Sequence, residues 1–145
     1  MSRVVNTNNP NKIRNHNRRT IAEMLQRLAR KPELDDEAKD MAATIVLSLR
    51  KIHETVQTTI AAWEKRDYWM KAERFSRDWL WTPKMAADLE DVIREDAWDL
   101  LPELLMSLYP HFSDIQIKTL TRKEETWAHN YIFLMKQDPQ TIWEG

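Results

Sequence analysis

The sequence predicts an all-α fold: a helical bundle of five or six helices built around one long central helix, with a basic N-terminal arm. Three observations carry that expectation. Ala38, Met41, Ala42, Ile45, Leu49, Ile52, Val56, Ile60 and Trp63 recur at three- and four-residue steps, which places them on one face of a helix. The 145 residues include a single glycine, Gly145, whereas barrels, parallel sheets and phosphate-binding loops need glycine where the backbone turns tightly. Helix-start and helix-stop residues also recur along the chain at helical spacing. At this length, and with 42% hydrophobic residues, the chain can bury one core.

Residues 1–19 hold six asparagines, one proline and five basic side chains but few apolar groups, so they read as an arm outside the helical domain of residues 20–145. Thr20 and Glu23 have the spacing of a capping box, opening a helix whose inward face is Ile21, Met24, Leu25 and Leu28. Lys31 and Pro32 close it. Asp35, Asp36 and Glu37 then meet the positive end of the long helix. Its stripe fits roughly four heptads, and a helix of that length needs a partner along it, from within the chain or from a second copy. From Tyr68 the stripe re-forms as Tyr68, Ala72, Phe75 and Trp79, about half a turn around, so the helix breaks near Glu64 to Asp67.

Thr82 and Pro83 read as a capping hydroxyl and a first-turn proline, followed by an inward stripe of Met85, Ala86, Leu89, Val92 and Ile93. Pro102 interrupts the pattern; Asp99 starts a new turn, and Leu101, Leu104, Leu105 and Leu108 form a short helix ending before Pro110. His111 to Leu120 reads as an irregular link. Thr121 and Glu124 form a second capping box for a helix running to about Lys136, with Trp127, Tyr131, Leu134 and Met135 inward, and Asp138 and Pro139 end it.

The net charge of −1 hides an asymmetry: residues 1–31 carry +7 and the remainder −8. Arg3, Lys12, Arg14, Arg18 and Arg19 are the arm's candidates for phosphate contact. Beyond Thr82 the outward face is acidic, and Asp88, Asp91 and Glu95 form a surface that a basic arm of another copy could meet. Trp63, Tyr68, Trp69, Phe75, Trp79 and Trp81 concentrate six of thirteen aromatics in nineteen residues. Lys65, Arg66, Lys71, Arg74 and Arg77 interleave with them as in a base-stacking surface, yet Glu64, Asp67, Glu73 and Asp78 nearly cancel that charge. Core or protein-interface packing is the better reading of this segment, ahead of an apolar ligand pocket.

Catalytic chemistry finds no centre. There is no cysteine, and His16, His53, His111 and His129 make no paired-histidine motif. Glu125 and His129 share a helix face at four-residue spacing, a pattern that more often gives a surface hydrogen bond than a metal site. Ser48 and Thr44 have no identifiable base, and neighbouring carboxylates such as Glu90 and Asp91 point apart on a helix. The apolar run Met41 to Leu49 is too short to span a bilayer, and the N-terminus lacks a secretory signal's apolar centre. The expected function is a non-catalytic interaction or scaffold subunit, cytoplasmic and without a cofactor, that assembles with itself or a protein partner. The alternative is a nucleic-acid-associated accessory subunit using the arm; an enzyme or small-ligand binder with an apolar helical pocket ranks third.

Overall fold

Asp35 accepts a hydrogen bond from the Ala38 amide at 2.8 Å, and Asp36 and Glu37 occupy the first turn, so the start of the long helix is both capped and complemented in charge. That helix, α2 (Asp36–Lys65), is thirty residues long. The computed structural model describes residues 9–139 of the chain. The expected stripe from Ala38 to Val56 is buried, while Ile60 and Trp63 are half-buried. Ala43, Thr44, Val46, Ser48 and Thr55 are buried as well, because neighbours cover α2 on more than one side.

The first neighbour is α1 (Pro10–Ala29), which starts ten residues before the expected Thr20. Asn9 is its N-cap, accepting from the Asn11 and Lys12 amides at 2.9 and 3.2 Å, and Pro10 supplies a first-turn residue with no amide to satisfy. Residues 10–19, assigned by composition to the arm, are therefore helical. Thr20 caps nothing: it lies mid-helix and donates to the His16 carbonyl at 3.1 Å. Arg14 meets Thr55 and Thr59 while Lys31 pairs with Asp35 and Glu37, so α1 and α2 run in opposite directions.

The chain continues through α3 (Trp69–Asp78), α4 (Trp81–Arg94), a 3-10 turn at Trp98–Leu100, α5 (Leu101–Leu108) and a second such turn at Tyr109–Phe112. Irregular backbone then leads to α6 (Glu124–Trp127) and α7 (Asn130–Lys136). Five helices thus have eight or more residues, two are shorter, and no strand occurs among the described residues. The α4 start lies just ahead of the expected cap: Thr82 is inside the helix, wholly buried, with its amide donating to Trp79 O. The helix expected from Thr121 to Lys136 is broken at His129, whose φ is 68°. Asp40 on α2 causes the break to persist, since its carboxylate accepts from the His129 and Tyr131 amides at 3.3 and 2.9 Å and so caps α7 from outside. No helix of the described residues is long and apolar enough to cross a membrane.

Without glycine, two helices end on aspartates in the left-handed region, Asp67 at φ 64° and Asp96 at φ 57°. After α2 the Asp67 amide donates to Glu64 O at 3.0 Å and the Tyr68 amide to Trp63 O at 2.9 Å, a Schellman closure repeated after α4 by Asp96 and Ala97. Asp tolerates this conformation better than most residues, but glycine has no Cβ to resist it. Asp67→Gly is expected to stabilise the fold by about 0.5–1 kcal/mol, read as a higher urea midpoint at unchanged slope.

Candidate functional site

The six aromatics of residues 63–81 divide into two groups. Trp63, Phe75, Trp79 and Trp81 are half-buried and form a continuous ladder. Trp63 meets Phe75 edge-on at 5.0 Å, Phe75 lies 6.1 Å from Trp79, and Trp79 stacks on Trp81 at 6.1 Å. The ladder ends where Trp81 stacks on His111 at 3.7 Å and meets Phe112 edge-on at 5.8 Å. Tyr68 and Trp69 stand apart, 50% and 58% exposed, and Met70 beside them is 78% exposed.

Arg14 explains why the ladder is internal. Its side chain is 6% exposed and its guanidinium lies 5.0 Å from the Phe75 ring centre and 5.6 Å from that of Trp79. It donates to Thr55 Oγ1 at 3.1 Å, Thr55 O at 3.3 Å, Thr59 Oγ1 at 2.9 Å and Asn11 Oδ1 at 3.4 Å. Arg18 pairs with Asp114 at 2.7 Å, donates to His111 O at 2.8 Å and covers Phe112 at 5.4 Å. The Asp114 carboxyl is held below the usual aspartate range by that hydrogen bond. Arg19 donates to Glu23 at 2.7 Å and to Thr119 O at 2.8 Å. Three of the five candidate phosphate contacts thus bind the chain itself; Lys12 is exposed, and Arg3 lies outside the described residues.

Glu23 is the polar centre that sequence reading missed. It is 0% exposed and accepts from Arg19 Nε at 2.7 Å, Thr121 Oγ1 at 2.7 Å, and the Thr121 and Arg122 amides at 2.9 and 2.8 Å. Burial pushes its pKa up, but the hydrogen bonds outweigh that and hold it at about 2. Arg122 completes the knot by donating to Thr20 Oγ1 and His16 O at 3.0 and 2.8 Å. The irregular link is thereby fastened to α1. Burial and the nearby Arg122 push the His16 pKa down.

The acidic residues also divide. Asp88, Asp91 and Glu95 do face one surface, where Glu103 from α5 joins them around a groove of about 450 Å³. Val92, Ala97, Leu100 and Leu104 line it with apolar surface. Asp88 pairs with Lys84 at 3.0 Å. Glu90, which points away from its neighbour Asp91, is buried between Arg50 and Arg94, each at 2.7 Å. Leu100, Leu104 and Glu103 were not associated with this surface in sequence, because only the return of α5 against α4 brings them there.

Among the described residues no group of three or more His, Asp or Glu side chains is placed to hold a metal ion. The break at Ala128 and His129 also removes the shared face of Glu125 and His129. Thr44 and Ser48 line an open cleft of about 840 Å³ with His16, Asn130 and Phe133. Thr44 donates to Asp40 O and accepts from Asn130 Nδ2, at 2.7 and 2.8 Å. Neither hydroxyl is hydrogen-bonded to a histidine or carboxylate side chain among the described residues.

Composition implies that alanine at Arg14, Arg18 and Arg19 spares the fold; the contacts imply the opposite. Arg14→Ala removes the donor from two buried and two partly buried acceptors and uncovers two rings, and is expected to cost about 2–4 kcal/mol by urea denaturation, with Arg14→Lys recovering only part because it lacks the planar fork. For Glu23 the folded pKa lies below the ordinary value of 4.5, so its contribution is present above that pH and is lost as pH falls from 4.5 through about 2. The drop corresponds to about 3 kcal/mol. Glu23→Gln is expected to lower stability at neutral pH and to flatten the acid limb of stability between pH 5 and pH 2, measured by denaturation at each pH. No protein-family model, curated protein or solved structure matches this chain.

Proposed function

We propose that the chain is a non-catalytic interaction subunit that assembles through the tip where α2 turns into α3. One observation carries this reading: Tyr68, Trp69 and Met70 are consecutive, all at least half exposed, and fixed on rigid backbone. The Schellman closure at Asp67 sets their position, and the Trp63 to Phe75 contact anchors α3 to α2 directly behind them. Large apolar side chains on a preorganised element are the groups that dominate binding energy at protein interfaces. Nothing in the core depends on them, so their exposure has no packing explanation.

Lys65, Arg66, Lys71 and Arg74 are exposed in the stretch that carries the tip, outnumbering the exposed carboxylates Asp67 and Glu73. Their charge favours a partner surface bearing carboxylates around an apolar centre. The cysteine-free composition suits a reducing, cytoplasmic setting. The phosphate-binding alternative keeps only Lys12 among the arm residues that the structure describes, since Arg14, Arg18 and Arg19 hold internal partners.

Trp69→Ala tests the reading. Molar mass by light scattering over a range of concentrations should rise for the parent protein and stay near the monomer for the variant, an affinity loss of about tenfold or more. Melting temperature should change little, because Trp69 is 58% exposed and lies outside the hydrophobic core. Equal self-association of the two proteins would refute the role of the tip.

A further inference from the structure

We infer that the tip of one copy docks into the acidic groove between α4 and α5 of the next, joining copies head to tail. This rests on the proposed role of the tip and names its partner surface. The groove is the chemical complement of the tip: an apolar floor of Val92, Leu100 and Leu104, rimmed by Asp88, Asp91, Glu95 and Glu103. The groove is open to solvent and has a volume of about 450 Å³. Leu100 in this floor is 48% exposed.

Charge decides the symmetry. The exposed charged side chains of residues 65–74 are four cations, Lys65, Arg66, Lys71 and Arg74, against two carboxylates, Asp67 and Glu73. Tip against tip therefore brings excess positive charge together, and groove against groove faces four carboxylates with four more. Only tip against groove joins opposite charges while covering apolar surface on both sides.

Geometry makes the contact intermolecular. The tip follows the C-terminal end of α2, whereas Trp98, next to the groove's Ala97, lies under the Lys39 ammonium at 5.6 Å, near the start of that helix. Lys39 and Lys65 are about 39 Å apart along a helix rising about 1.5 Å per residue. A rigid rod with unlike ends cannot satisfy itself and forms a heterologous interface, which leads to a ring or an open filament.

The test uses two full-length variants, Trp69→Ala with an intact groove and the double variant D91K/E95K with an intact tip. Each alone is expected to remain monomeric where the parent assembles beyond a dimer. Mixed in equal amounts, they should form a capped one-to-one dimer and nothing larger, because one intact tip meets one intact groove. If D91K/E95K assembles like the parent while Trp69→Ala does not, the tip remains an interface and the groove is not its partner. A parent that stays monomeric at every concentration overturns both readings. As a second measurement that does not depend on charge reversal, Met70→Cys and Leu100→Cys are mixed under oxidising conditions in a chain that has no cysteine of its own. A disulfide-linked heterodimer, in excess over either homodimer, is expected; homodimers alone overturn the head-to-tail arrangement.

Discussion

A thirty-residue helix in water is not held by propensity, and the rest of this molecule follows from the need to cover α2. Its buried positions extend beyond a single stripe, with Ala43, Val46 and Ser48 added to the Met41, Ile45 and Leu49 series. Coverage on one face would therefore leave apolar surface wet. α1 lies along one side, α4 along another, and α7 closes a third, each antiparallel or short enough to fit the length that α2 sets. Even the polar groups of α2 serve this purpose: Asp40 caps α7, Glu37 accepts from the Trp127 indole at 3.1 Å, and Thr55 receives Arg14.

The basic residues of the first helix are mostly structural, which changes the meaning of the charge asymmetry. Arg14, Arg18 and Arg27 each cover an aromatic ring, at 5.0, 5.4 and 4.7 Å for Phe75, Phe112 and Trp127 respectively. Guanidinium groups are planar and weakly hydrated, so they can lie against rings while donating sideways to carbonyls and hydroxyls. Arg19 hydrogen-bonds the enclosed Glu23 carboxylate at 2.7 Å, with the Arg122 guanidinium 3.9 Å away, and Arg50 and Arg94 each meet the Glu90 carboxylate at 2.7 Å. Part of the +7 and −8 split is met inside the fold, by Arg18 with Asp114 and by Lys31 with Asp35 and Glu37.

The central helix, its cap at Asp35 and its break near Asp67 were legible because each depends on local pattern: a period, a capping carboxylate, a phase change in the stripe. The errors arise where a distant residue decides the outcome. Thr20 and Glu23 have capping-box spacing, but Glu23 is claimed by Thr121 and Arg122, about a hundred residues away in the chain. The Asn9 and Pro10 start was obscured by surrounding asparagine and arginine, whose low apolarity ignores what arginine stems and guanidinium planes can cover. His129 gave no sign of a helix break, since the compensating carboxylate is Asp40 on α2. For the candidate surface, sequence located the aromatic cluster and three of the groove's carboxylates. It could not say which aromatics remain outside, because that follows from how far α3 rotates against α2.

The two exposed features share a mechanical origin. In a chain lacking internal glycine, α2 and α4 both end on left-handed aspartates, and exposed apolar side chains follow each aspartate within four residues: Tyr68 to Met70 after Asp67, Leu100 after Asp96. A tight, hydrogen-bonded closure fixes the direction in which the chain leaves the helix, so the residues beyond it are presented in a defined orientation instead of sampling many. Because α4 returns along α2 from the tip toward Lys39, the two closures fall toward opposite ends of the same rod. The fold that buries α2 therefore also separates an aromatic, cation-flanked end from an acidic, apolar-floored one. Separation of unlike surfaces along a rigid axis is what gives an assembling subunit a direction.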